Sequence, residues 1–209
     1  MAGETKARAA QDHFDRWAGA YGRSRLLPSL QTKALADLRP RADDRFLDVA
    51  CGAGALVVEV APGVERAVGV DLSEGMLGLA RARLADAEAD LPNVEFVQAP
   101  SDALPFDDGS FTALACTTAL HHFPDPQRSI DEMARVLAPG GRLVLGDAAR
   151  DLLTTKVVDY LQRRFEKGHV GLQRKRDIEA MLTRTGLRVT SSRYVWVRIY
   201  ALVGAERPL

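Results

Sequence analysis

The stretch Phe46-Leu47-Asp48-Val49-Ala50-Cys51-Gly52-Ala53-Gly54, answered by Val68-Gly69-Val70-Asp71, decides the fold. A short apolar run enters a glycine-rich turn, and a helix-length segment separates it from a second apolar run that ends on a carboxylate. Strand, tight turn, helix and strand in that order make an α/β unit whose ligand lies at the carboxyl ends of the strands. Gly52 and Gly54 open backbone conformations closed to residues with a Cβ and leave room for a ligand against the main chain. Asp71 stands 17 residues after Gly54, and an ionised carboxylate there accepts from two vicinal hydroxyls, as a ribose presents them.

The same residues separate the candidate nucleosides. A dinucleotide fingerprint needs a third glycine for close helix-to-strand packing, and Val57 stands in that place. Asp48 ends the first strand just ahead of the turn, where its charge would repel a pyrophosphate but would tie down turn amides or face a ligand ammonium. A cationic, phosphate-free nucleoside fits better than NAD.

Three further blocks follow in order: Gly69-Val70-Asp71-Leu72-Ser73-Glu74-Gly75-Met76, Ala99-Pro100-Ser101-Asp102-Ala103-Leu104-Pro105-Phe106 and Arg135-Val136-Leu137-Ala138-Pro139-Gly140-Gly141-Arg142-Leu143. With these four blocks, over roughly residues 46 to 147, the chain resembles the class I S-adenosylmethionine-dependent methyltransferases. Within them it is similar to the small-molecule branch that includes the ubiquinone and menaquinone biosynthesis C-methyltransferases. The resemblance implies a Rossmann-like, mostly parallel seven-stranded sheet with an antiparallel C-terminal hairpin and helices on both faces. It implies S-adenosyl-L-methionine as cofactor, with Asp71 on the ribose hydroxyls and Asp102 on the adenine amine. The Ala103 amide lies nearby, Ser101 stands in the same block, and Leu72 and Met76 pack on the adenine. Ala50, Gly52 and Thr117 face the methionine end. Each residue also has a plainer reading: Asp48 locking the turn, Asp71 capping the next helix, Asp102 in a surface turn, Leu72 and Met76 feeding the core.

Composition sets limits. At 209 residues with 46% apolar content, the chain is long enough for one well-buried α/β core and too short for two. Twenty-eight basic residues balance 28 acidic ones, which leaves no overall field for nucleic acid or an anionic membrane. The charged start Met1-Ala2-Gly3-Glu4-Thr5-Lys6-Ala7-Arg8 lacks the apolar core of a secretion signal, and no run is long enough to span a bilayer, so a cytoplasmic protein is expected. Cys51 and Cys116 read as buried, reduced thiols.

Periodicity predicts strands over Arg45–Ala50, Ala67–Asp71, Val94–Gln98, Phe111–Cys116 and Arg142–Gly146. Helices are expected from Ala55, from a Ser73 cap to about Ala89, and from the Asp125-Pro126 cap to the stop at Pro139-Gly140-Gly141. Past the fifth strand, Leu153, Val157, Leu161 and Phe165 mark one helix face, and Asp177 to Thr185 another helix. Two β-rich runs, Leu187–Thr190 and Tyr194–Val203, close the chain. Residues 1–40 are expected as a helical lid ahead of a domain at 41–209; His13, Phe14, Trp17, Tyr21 and Leu26-Leu27 give it an apolar stripe, with the Tyr21 hydroxyl a candidate partner for the methionine carboxylate and a plain core stripe the alternative reading.

His121-His122-Phe123 follows the fourth strand where the resembled family places residues beside the transferring methyl group. Imidazole titrates near neutrality, so either ring suits the acceptor's proton, with His121 favoured; the alternative is one structural and one solvated ring. Adjacent histidines with no acid or thiol at ligand spacing are a weak zinc signal, and no metal site is expected. The basic run Arg163, Arg164, Lys167, His169, Arg174, Lys175, Arg176 reads as a solvated face. The function expected is methyl transfer to a small-molecule acceptor by a monomer or homodimer. The competing reading is a non-catalytic cofactor-binding or regulatory protein of the same fold.

Overall fold

The computed structural model describes residues 11, 15, 26–165, 169–196 and 199–209; Phe14, Trp17 and Tyr21 of the expected lid stripe lie outside them. Among the described residues seven strands are formed: β1 (Arg45–Val49), β2 (Arg66–Asp71), β3 (Val94–Gln98), β4 (Phe111–Thr117), β5 (Leu137–Ala148), β6 (Arg188–Val195) and β7 (Tyr200–Glu206). They make one sheet in the order β3-β2-β1-β4-β5-β7-β6. The first five run parallel, and β7 enters antiparallel between β5 and β6, as the resemblance implies. The strand order reverses between β1 and β4, which opens a crevice at their carboxyl ends.

Among the described residues six α-helices are delimited, α1 (Leu26–Leu38), α2 (Ala55–Val60), α3 (Glu74–Ala85), α4 (Pro126–Val136), α5 (Leu153–Phe165) and α6 (Lys175–Arg184); α1 to α3 pack on one face of the sheet, α4 and α6 on the other. Successive residues of a strand point to opposite faces. Phe46 therefore packs in one core with Leu30, Ala34 and Leu38 of α1, Leu56 and Val57 of α2 and Leu77 of α3. Its neighbour Leu47 packs in the other with Ile130 and Met133 of α4 and Ile178 and Leu182 of α6. Central parallel strands with both faces covered read as continuous apolar runs, which is why β1 and β4 stand out in the sequence.

The helix caps also follow from residue type. The Ser73 hydroxyl accepts from the Met76 amide at 3.1 Å and starts α3, and the Asp125 carboxylate accepts from the Arg128 amide at 3.1 Å and starts α4. Several boundaries differ from expectation, three of them for reasons the fold makes plain. α3 ends at Ala85, four residues early, as the chain returns to β3. β5 starts at Leu137 rather than Arg142, because Leu137 already pairs with Phe111 before the register shifts. The last break falls between Val195 and Tyr200, inside the run Tyr194–Val203. That turn includes Trp196 at φ 48°, with none of the glycine, proline or asparagine that marks turns in sequence. No helix among the described residues is long and apolar enough to cross a membrane.

Candidate active site

A cavity of about 590 Å³ opens at the carboxyl ends of the strands. That size lies within the range of small-molecule sites, roughly 300 to 1,000 Å³. Its first wall is the glycine turn and the end of β2, with Ala50, Gly52, Val70, Asp71, Leu72 and Met76. Gly52 takes φ 53° and Gly54 φ 70°, the left-handed region that glycine enters without strain. The two glycines serve different ends. Gly52 faces the cavity, whereas a Cβ on Gly54 would stand 2.7 Å from Phe96 Cζ and 2.8 Å from the Ala80 Cβ, so Gly54 lets α2 close on β3 and α3.

Asp71 is held rigidly. Its Oδ2 accepts from the Gly52 amide at 2.8 Å and its Oδ1 from the Ser73 amide at 2.9 Å. Each carboxylate oxygen has two lone pairs, so one acceptor site per oxygen remains for a ligand's hydroxyls. Burial pushes the Asp71 carboxyl up from its usual range, against the pull of the Ser73 and Gly52 amides. Asp48 lies 1% exposed on β1 and is not on the cavity wall; its Oδ1 has no hydrogen-bond partner among the described residues. Burial, and then the charge of Asp71, lift the Asp48 carboxyl well above the ordinary value of 3.8. The same burial, with Asp48 next in importance, raises the Cys51 and Cys116 thiols, so both free cysteines are buried and protonated as expected.

The second wall is Ala99, Pro100, Ser101 and Asp102, after β3. Arg128 of α4 reaches it and donates from Nε to the Asp102 carbonyl at 3.2 Å. Ser101 and Ser129 share a hydroxyl contact of 2.8 Å. Ala103 does not line the cavity; its amide donates to the Pro100 carbonyl at 3.3 Å.

The third wall, beyond β4, holds Thr117, Thr118, Ala119, His122 and Phe123. Thr118 takes φ 57°, and its buried hydroxyl has no partner among the described residues. His121 lies behind this wall, 8% exposed, on the 3₁₀ turn Leu120–His122. Asp147 at the end of β5 grips it twice: Oδ1 meets Nδ1 at 2.7 Å, and Oδ2 accepts from the His121 amide at 2.9 Å. The His122 ring lies against it with centroids 4.0 Å apart. A third imidazole, His169, stands 5.3 Å from His121 by ring centroids and bonds Asp159 of α5 through Nε2 at 2.9 Å. His169 is thus buried, not part of a solvated basic face.

Of the residues singled out in the sequence, Ala50, Gly52, Asp71, Leu72, Met76, Ser101, Asp102, Thr117 and His122 line one cavity. Asp48, Gly54 and His121 stand behind its wall, and Tyr21 lies outside the described residues. Sequence reasoning missed Arg128, Asp147, His169 and Asp159. Arg128 follows the Asp125-Pro126 cap by three and two residues, a position on the exposed side of a first helical turn that carries no ligand signal. The three others come near the histidine pair only through the sheet and α5.

The family described as "Methyltransferase domain" matches residues 47–145. The demethylmenaquinone methyltransferase of Clavibacter sepedonicus is 39% identical over 63% of this chain and 55% of its own length. The 27-O-demethylrifamycin SV methyltransferase of Amycolatopsis mediterranei is 41% identical over 56% of this chain and 43% of its own. The chain spans about half the length of the relatives it matches. The crystal structure of the YcgJ protein of Bacillus subtilis superposes with a TM-score of 0.75 at 22% identity, covering 87% of this chain and 99% of that one, a likeness of fold.

Proposed function

We propose that this chain, whose residues 47–145 match the family described as "Methyltransferase domain", transfers a methyl group from S-adenosylmethionine to a small-molecule acceptor. The observation that carries the reading is the continuity of one cavity from Asp71, through Gly52 and Thr117, to His122. Relatives named for demethylmenaquinone and 27-O-demethylrifamycin SV support an acceptor of that size.

The residues fit the cofactor that the family uses. Asp71 offers its remaining acceptor sites to the ribose hydroxyls, Leu72 and Met76 pack the adenine, and Asp102 takes its amine. The unpartnered, buried Asp48 Oδ1 marks a place where positive charge is favoured, which suits the ammonium at the methionine end. When bound, S-adenosylmethionine supplies an activated methyl on a sulfonium. The protein's part is to align the acceptor and to hold its proton. His121 has the arrangement of a general base: Asp147 fixes Nδ1, so the neutral ring carries its lone pair on Nε2. His122 and Phe123 form the wall in front of it. Asp15, which accepts from the Gly75 amide at 3.1 Å and from the Ser73 hydroxyl, ties the segment before α1 to the start of α3 beside Asp71. We assign that segment the covering role, because Leu30, Ala34 and Leu38 of α1 are already buried in the core. A cytoplasmic monomer or homodimer is the setting we propose.

The test pairs calorimetry with S-adenosylhomocysteine and transfer from methyl-labelled S-adenosylmethionine to a panel of quinol and phenol acceptors. Binding with labelled product supports an enzyme. Binding without product across the panel favours the non-catalytic reading, and absence of binding overturns both.

A further inference from the structure

Three of the chain's four histidines gather beyond the end of β4. His121, His122 and His169 each offer one ring nitrogen, and those nitrogens all lie within 4.8 Å of one another. His121 and His122 are neighbours in the chain, whereas His169 arrives 47 residues later, past α5. Such convergence of neutral nitrogen donors is what a borderline divalent ion requires.

Two of the rings are oriented from behind by buried carboxylates. Asp147 meets His121 Nδ1 at 2.7 Å and Asp159 meets His169 Nε2 at 2.9 Å; both acids are 2% exposed. A carboxylate that receives one ring N–H fixes the tautomer and makes the other nitrogen a better donor, the usual setting of a metal-bound histidine. Asp159 is itself held, accepting from the Leu172 amide at 2.7 Å with Arg150 Nε at 3.3 Å. The independent sign is His169 Nδ1: the side chain is fully buried, and this nitrogen has no hydrogen-bond partner among the described residues. Once Asp159 has taken the proton on Nε2, Nδ1 holds a lone pair sealed from water, which is costly without a partner.

We propose that His121, His122 and His169 form a binding site for one divalent transition-metal ion of the zinc, cobalt or nickel class, at the rim of the cavity. Tetrahedral coordination at roughly 2.0 to 2.1 Å sets donor nitrogens about 3.3 Å apart, so small ring rotations close the site. Three neutral imidazoles leave a fourth position, and His122 puts that position beside the cavity wall. The anionic pair Asp147 and Asp159 offsets the ion's charge. The site stands apart from the methyl-transfer reading, since metal affinity is a property of the chain without cofactor or acceptor. It also has a consequence for that reading: an ion on His121 engages the lone pair assigned to the acceptor's proton, so loading inhibits any transfer that needs this base.

The test uses the full chain without a histidine tag. Zn²⁺ titrated by calorimetry is expected to bind one equivalent, and Co²⁺ to give the intense visible d–d absorption of a tetrahedral nitrogen site. His169→Ala should abolish the absorption, and Asp159→Asn should weaken Zn²⁺ about 10- to 100-fold. His169 is buried and its variant is checked for folding by circular dichroism; His122→Ala, on the cavity wall, decides the matter if that variant does not fold. Full Zn²⁺ affinity in folded His122→Ala, an octahedral Co²⁺ spectrum, or no saturable binding by the unaltered chain would overturn the proposal. These results leave cofactor binding, read separately with S-adenosylhomocysteine, untouched.

Discussion

At the adenosine end of the cavity, the groups that shape the site lie close in the chain: Ser73 is two residues from the carboxylate it bonds, and Gly52 is 19. At the histidine end, His121 bonds an acid 26 residues away, and the third imidazole comes from beyond α5. The first end is one βαβ unit, and its geometry is carried by backbone: glycine conformations, turn amides and a strand end. The second is assembled from imidazoles of two separate segments, and two of the three rings are oriented by buried acids. Backbone sites are rigid and tolerate little change, whereas side-chain clusters are tuned one residue at a time. One end therefore suits the cofactor we propose for it, and the other the proposed acceptor.

That contrast breaks most visibly at His121. His121→Ala is expected to lower turnover about 10²- to 10⁴-fold while S-adenosylhomocysteine affinity stays within a few-fold. Steady-state kinetics beside calorimetry read both. An equal loss in the two would mean that the ends are not separable, and unchanged turnover would move the base elsewhere.

Asp71→Ala should do the reverse. It removes the acceptor we propose for the ribose and strands the Gly52 and Ser73 amides, so S-adenosylhomocysteine affinity should fall about 100-fold, as loss of charged hydrogen bonds of about 1.5 to 3 kcal/mol predicts. Unchanged affinity by calorimetry would remove Asp71 from the site.

The smallest effect sharpens the comparison through pH. Burial holds the folded Asp48 carboxyl well above the 3.8 of an exposed one, so the folded chain keeps a proton that the unfolded chain releases. The stability this gives is present below 3.8 and is lost as pH rises through the raised value. Asp48→Asn removes that loss, so in thermal melts across pH the variant should gain on the parent as pH is raised above 3.8. A melting curve with the same pH dependence as the parent would show that Asp48 is already paired.

The fold was legible because its signals are local. β1 through β4 announce themselves as apolar runs bounded by turns, and the Ser73 and Asp125 caps are each decided by a side chain reaching an amide three residues on. Where the signal was not local, the reading drifted. The turn at Trp196 has no turn-forming residue, and β5 begins early because of pairing across to Phe111.

The sequence by itself determined the glycine turn, the ribose-side acid and the alternation that puts a cavity at the strand ends, since each depends on spacing along one βαβ unit. It also supplied the histidine pair. Only the tertiary structure decided that Asp147 grips His121, that Asp159 grips His169, and that three imidazoles meet. Hydrogen-bond and ligand geometry is set by distances of a few ångströms in space, and for residues on different strands and helices the packing of the sheet, not the count of residues between them, fixes those distances.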